Sequence, residues 1–140
     1  MFPFIVSLFA LFLVSFFQLT NYSLIGFIKP DLSLVLIIFL STIYKDWLKR
    51  LILILLAAVV FKFGVGLELG SGLFILGSLV GIITATKLPG SKSVNLAVGV
   101  LVATLTTNIA NFNLTIFLLE SLYNLLALLV YYSIYKLWPK

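Results

Sequence analysis

The chain has 140 residues, of which 63% are hydrophobic and only 9% charged, and its mean hydropathy is +1.28. Nine Lys or Arg and four Asp or Glu are too few to cover a water-soluble domain, so a soluble fold is excluded and a membrane protein is predicted. Cys and His are absent, so an enzyme is not expected and no cofactor is implied. The net charge of +5 is dispersed along the chain, which argues against nucleic-acid binding.

Apolar runs between the charged residues predict six membrane-spanning helices in one domain covering residues 1–140. No small-residue cleavage site follows the first run, so we expect a retained span rather than a signal peptide. The second run extends back to Pro30, which suits a first helical turn, and the third begins near Lys49 and Arg50, which can reach the headgroups. The predicted spans are 4–20, 30–44, 47–63, 66–86, 94–110 and 114–136.

Basic residues in alternate loops predict the orientation of these spans. One set of loops and ends holds seven Lys or Arg, and the other holds only Lys29 and Lys62. Because basic loops remain on the cytoplasmic side, both termini are predicted to be cytoplasmic. The cytoplasmic set consists of Lys45, Lys49, Arg50, Lys87, Lys92, Lys136 and Lys140.

Lys29, Pro30 and Asp31 open the second span on the predicted external side. Proline fixes the chain as it enters the helix, and Asp31 in the first turn would meet the positive end of the helix dipole. Two interpretations remain open. The segment is either a helix start with a solvated charge pair or a docking surface for an extracytoplasmic partner.

The fourth span carries glycines at Gly66, Gly70, Gly77 and Gly81, a spacing that places them along one helix face. They form two GxxxG pairs, which allow another helix to approach closely in lipid. We expect this neighbour within the same bundle, although a helix of another chain is the alternative.

Glu120 lies about seven residues, or roughly 10 Å, into the last predicted span, where a carboxylate indicates a functional site. Its role can be an ion pair with Lys62, a contact with a partner or ligand, or a proton relay, for which one Glu without His is thin support. The other polar candidates in the predicted external half of the membrane are Glu68, Asn108 and Asn124.

Three segments of this chain resemble the bacterial rod shape-determining protein MreD. Lys29-Pro30-Asp31-Leu32 before an aliphatic run is similar to that family's Arg/Lys-Pro-Asp-Leu segment. Leu69-Gly70 looks like its central Leu-Gly turn, and Leu122-Tyr123-Asn124 resembles its terminal Tyr-Asn helix. Where the family carries an intramembrane Asp, this sequence has Lys62.

The resemblance implies a six-helix bundle, similar in shape to the substrate-binding subunits of energy-coupling-factor transporters. It implies a non-enzymatic scaffold of the cell-elongation complex in the bacterial cytoplasmic membrane, supporting peptidoglycan synthesis and cell shape. The expected partner is MreC, bound through Lys29, Asp31 and the glycines of the fourth span, with RodA, a class B penicillin-binding protein and MreB in the wider assembly. The alternative is a vitamin-binding transporter subunit, which the missing Ala-x-x-x-Ala pair in the first span disfavours.

Overall fold

The computed structural model describes residues 3–19, 31–61 and 68–138, without the side chains of 68–70. In these ranges the chain forms six α-helices, one 3-10 turn at Ile109–Asn111 and no β-strand, which confirms the predicted all-α class. Lys29, Pro30, Lys62 and Gly66 lie outside the described residues. The helices are α1 (Phe4–Gln18), α2 (Leu32–Ser41), α3 (Trp47–Phe61), α4 (Glu68–Lys87), α5 (Lys92–Thr107) and α6 (Leu114–Leu137).

Helix α2 is the centre of the bundle and contacts each of the other five α-helices. Every residue from Ser33 to Ser41 is buried, as expected for a helix that is apolar on all sides. The helix has ten residues and is therefore about 15 Å long, which is shorter than the predicted span of 30–44. Asp31 caps its first turn rather than lying inside it, since the Asp31 side chain accepts a hydrogen bond from the Leu34 N–H.

Arg50 explains where α2 ends. Its Nε donates to the Tyr44 carbonyl at 2.8 Å and its Nη2 donates to the Ser41 carbonyl at 2.9 Å. These bonds place a cation at the negative end of α2 and satisfy carbonyls that the helix leaves free. Only 6% of the Arg50 residue is exposed, because these bonds hold its guanidinium group at the end of α2. The expectation that Arg50 reaches the headgroups stays a prediction.

The turn between α4 and α5 is short and held by one side chain. Asn95 donates from Nδ2 to the Leu88 carbonyl at 2.7 Å, and Gly90 takes a φ of +155°, which L side chains rarely adopt. Ser91 caps α5 by accepting a hydrogen bond from the Val94 N–H. Helix α5 consequently begins at Lys92, two residues before the predicted start of the fifth span.

Polar side chains are buried inside the bundle, while large apolar side chains cover its outside. The exposed fraction is 63% for Phe9 on α1 and 62% for Leu129 on α6. A water-soluble protein rarely exposes apolar side chains over several helices in this way. The fully buried polar residues are Ser7, Ser15, Ser33, Ser41, Ser78, Thr104 and Asn124.

Helix α6, with 24 residues, is the one helix in the described part of the chain that is both long and apolar enough to cross a bilayer. Helices α1, α2 and α5 are apolar but have 15, 10 and 16 residues, so they are shorter than the predicted spans. Helix length and composition therefore support one membrane span directly.

Candidate functional site: a polar network between four helices

Asn124 of α6 lies fully buried at the point where α2 begins and α5 passes. Its Oδ1 accepts a hydrogen bond from the Asp31 backbone N–H at 2.7 Å, and its Nδ2 donates to the Thr104 hydroxyl at 2.8 Å. A buried amide without such partners would cost about 1 to 3 kcal/mol. Asn124 therefore joins three helices through one satisfied side chain.

Asp31 extends the network to α1. Its Oδ1 accepts from the Gln18 Nε2 at 3.0 Å as well as from the Leu34 N–H at 3.2 Å. Gln18 in turn accepts a hydrogen bond from the Ser33 N–H through its Oε1, at 2.9 Å. Two of the free N–H groups at the start of α2 are thus satisfied by side chains, and the carboxylate lies at the positive end of that helix.

Glu120 is attached to the same network through Asn108, the residue that ends α5. The Asn108 Nδ2 donates both to the Thr104 carbonyl, at 2.8 Å, and to Glu120 Oε2, at 3.1 Å. A carboxylate beside a helix C-terminus meets the partial negative charge of the last carbonyls. The Asn108 amide lies between the Glu120 carboxylate and the Thr104 carbonyl and donates a hydrogen bond to each. Among the described residues this amide is the hydrogen-bond partner of the Glu120 carboxylate, and Glu120 Oε1 accepts no hydrogen bond from any of them.

The predicted ion pair between Glu120 and Lys62 stays a prediction, because Lys62 lies outside the described ranges. The side chain of Glu68 lies outside them as well. Of the five polar candidates, Asn108, Glu120 and Asn124 belong to one connected network, which also includes Asp31.

Gly77 and Gly81 face α5 of the same chain. A Cβ at Gly77 would lie 2.9 Å from Thr107 Cγ2, and one at Gly81 would lie 2.9 Å from Ala103 Cβ and 3.1 Å from the Gly99 carbonyl. Helices α4 and α5 approach too closely here for side chains larger than hydrogen. Gly77 and Gly81 therefore pack inside the bundle. For these two glycines, the alternative prediction of a contact with a helix of another chain is wrong. Gly70 lies in the first turn of α4, and its surroundings are not described.

Sequence reasoning missed Gln18, Ser33, Thr104 and Gly99. Gln18 follows an apolar run with no charge nearby, and Thr104 is one of several threonines near the end of α5, so neither stands out by type. Gly99 and Ala103 do carry a signal, since small residues four apart on α5 match the glycines on α4.

Comparison of the chain with known protein families, characterised proteins and solved structures gives no match. A function for this chain is therefore inferred from its own geometry. The network holds α1, α2, α5 and α6 in one arrangement at the ends that the basic-loop pattern predicts to be external. It can fix a surface for recognition at those ends.

Proposed function

We propose that the chain is embedded in the bacterial cytoplasmic membrane as a bundle of six spans with both termini in the cytoplasm. The observation that supports this is the apolar outside of the bundle, where phenylalanines and leucines are exposed on several helices while serines and Asn124 are buried within the core. The shortness of α2 is compatible with lipid where neighbouring helices shield the turn that follows it. Tyr44, in the turn after α2, is buried in this way and bonds the Ser7 hydroxyl at 2.7 Å.

Within that membrane we propose a non-enzymatic scaffold of the cell-elongation complex, like the MreD proteins that the sequence resembles. The support comes from Asp31 and Asn124. These residues belong to two of the segments that carry the resemblance, and they are directly hydrogen-bonded at 2.7 Å. Two short motifs that are distant in sequence thus form one structural feature at the predicted external end of the bundle.

The partner surface proposed here differs from the one expected from the sequence. Gly77 and Gly81 are covered by α5, and the Asp31 carboxylate already binds Gln18 and the start of α2. Glu120 is only partly buried, and its Oε1 accepts no hydrogen bond from the described residues. A carboxylate in this position is unfavourable in lipid unless a donor pairs with it, so we place the contact with MreC around Glu120.

The test is co-purification of the affinity-tagged chain with MreC in mild detergent, with an unrelated polytopic protein of similar size as the control. We expect MreC to remain bound to this chain and not to the control. RodA, a class B penicillin-binding protein and MreB are expected in the wider assembly. Absence of MreC, together with thermal stabilisation by a vitamin at micromolar concentration, would favour the transporter subunit instead.

A further inference from the structure

A cavity of about 530 Å³ opens between the turn that follows α2 and the turn that joins α4 to α5. Four of its ten lining residues are basic, namely Lys45, Arg50, Lys87 and Lys92, and none is acidic. Its volume lies within the range of about 300 to 1,000 Å³ that is usual for small-molecule sites. The cavity is separate from the polar network, which lies where α2 begins.

The fold concentrates positive charge here, and the nearby Asp46 carboxylate is not part of the lining and accepts a hydrogen bond from the Leu48 N–H at the start of α3. Lys92 is in the first turn of the sixteen-residue helix α5, where the helix dipole is already positive, and that turn contains no acidic residue. Cations at this position repel the helix dipole and one another, so an anion in the cavity would stabilise all of them. Helix N-termini and basic side chains together form a common phosphate-binding arrangement.

Arg50 gives the cavity a rigid wall. It is 6% exposed, and its guanidinium group is held by the Ser41 and Tyr44 carbonyls and lies 5.0 Å from the centre of the Trp47 ring. A side chain fixed in this way loses little further entropy when it meets a ligand. Trp47 also lines the cavity, and tryptophan is enriched at the membrane interface.

We propose that this basic cavity binds a phosphate group, with the headgroup of an anionic phospholipid as its source. The lipid source depends on the membrane location proposed above, which puts the cavity at the cytoplasmic surface, where anionic lipids accumulate. Basic pockets between helices on that side are suited to phospholipid headgroups. Free phosphate shares the same chemistry and is distinguished by the experiment.

The experiment measures lipid binding to the purified full-length chain in detergent by native mass spectrometry, with phosphatidylglycerol and phosphatidylcholine titrated separately. The test variant is Lys87→Gln/Lys92→Gln. The matched control is Lys49→Gln/Lys136→Gln, which removes the same charge from the predicted cytoplasmic ends without touching the cavity lining. Arg50 is left intact because it also holds the end of α2. Circular dichroism and gel filtration check that both variants fold.

We expect the native chain to prefer phosphatidylglycerol and the test variant to bind it about thirtyfold more weakly, which corresponds to about 2 kcal/mol at 1.4 kcal/mol per tenfold. The control variant should remain within about twofold of the native chain, because neither of its lysines lines the cavity. Glycerol 1-phosphate and inorganic phosphate are then added as soluble competitors. Displacement only at large excess assigns the lipid source, and displacement at concentrations equal to the lipid assigns free phosphate; both support the phosphate site.

Equal binding of the two lipids, or equal losses in the test and control variants, would overturn the proposal. Retention of MreC is measured on the same preparations. A native chain that binds both lipids equally but still retains MreC would remove the cavity's role and leave the scaffold proposal intact.

Discussion

The side-chain oxygen of Asn124 accepts a hydrogen bond from the backbone N–H of Asp31, a residue 93 positions earlier in the chain. The bond joins the start of the central helix to the middle of the last one. The same Asn124 amide binds Thr104 of α5, so one buried side chain fixes the relative positions of α2, α5 and α6. Four predictions test this arrangement and the proposed function.

Asn124→Leu should lower the free energy of unfolding by about 2 kcal/mol, because the interhelical hydrogen bonds to the Asp31 N–H and the Thr104 hydroxyl are lost. Reversible unfolding in mixed micelles measures the change. The control is Asn111→Leu, which makes the same replacement at an exposed position in the 3-10 turn and should have little effect. Equal losses in both variants would show that Asn124 does not stabilise the helix arrangement.

Gly81→Ala should destabilise the bundle by about 1 to 3 kcal/mol, because the new methyl group would lie 2.6 Å from Ile38 Cδ1 and 2.9 Å from Ala103 Cβ. Gly72→Ala on the same helix is the matched control, since a Cβ there has nothing within 4 Å. Alanine favours a helix over glycine by up to about 1 kcal/mol, so this control should be neutral or stabilising. Thermal unfolding in detergent compares the two variants, and a stable Gly81→Ala protein would contradict the close α4–α5 contact.

Glu120→Gln separates stability from recognition. The new side chain still offers an oxygen to the Asn108 amide, and it removes a charge, so the free energy of unfolding should change by less than about 1 kcal/mol. Retention of MreC should fall, because the partner loses its charged acceptor. The same co-purification assay measures this, with Glu120→Leu as a variant that removes the acceptor altogether. Full retention of MreC by both variants would place the partner contact elsewhere.

Ser91→Cys tests the orientation. The chain has no Cys, so the substituted residue is the single thiol, and Ser91 is exposed at the turn before α5. We expect an impermeant thiol reagent to leave it unlabelled in intact cells and to label it after permeabilisation. Asn111→Cys, exposed at the opposite end of α5, should be labelled in intact cells. The reverse pattern would invert the predicted topology.

The existence and order of the six helices could be predicted from the sequence because hydropathy is a local property. The run from Leu114 onward contains enough apolar residues to form a helix wherever the rest of the chain lies, and the structure shows that helix at Leu114–Leu137. The ends of α2 could not be predicted in the same way. Its last turn depends on Arg50, which reaches the Ser41 carbonyl from the next helix.

The sequence by itself determined an all-helical chain of unusual apolarity, with a glycine face on its fourth helix and isolated polar residues in apolar runs. Only the tertiary structure decided that Asp31, Asn124, Asn108 and Glu120 belong to one network and that Gly81 packs against Gly99. The physical reason is that a hydrogen bond and a van der Waals contact act over only a few ångströms. Their partners are therefore set by where distant segments meet, which no local pattern records.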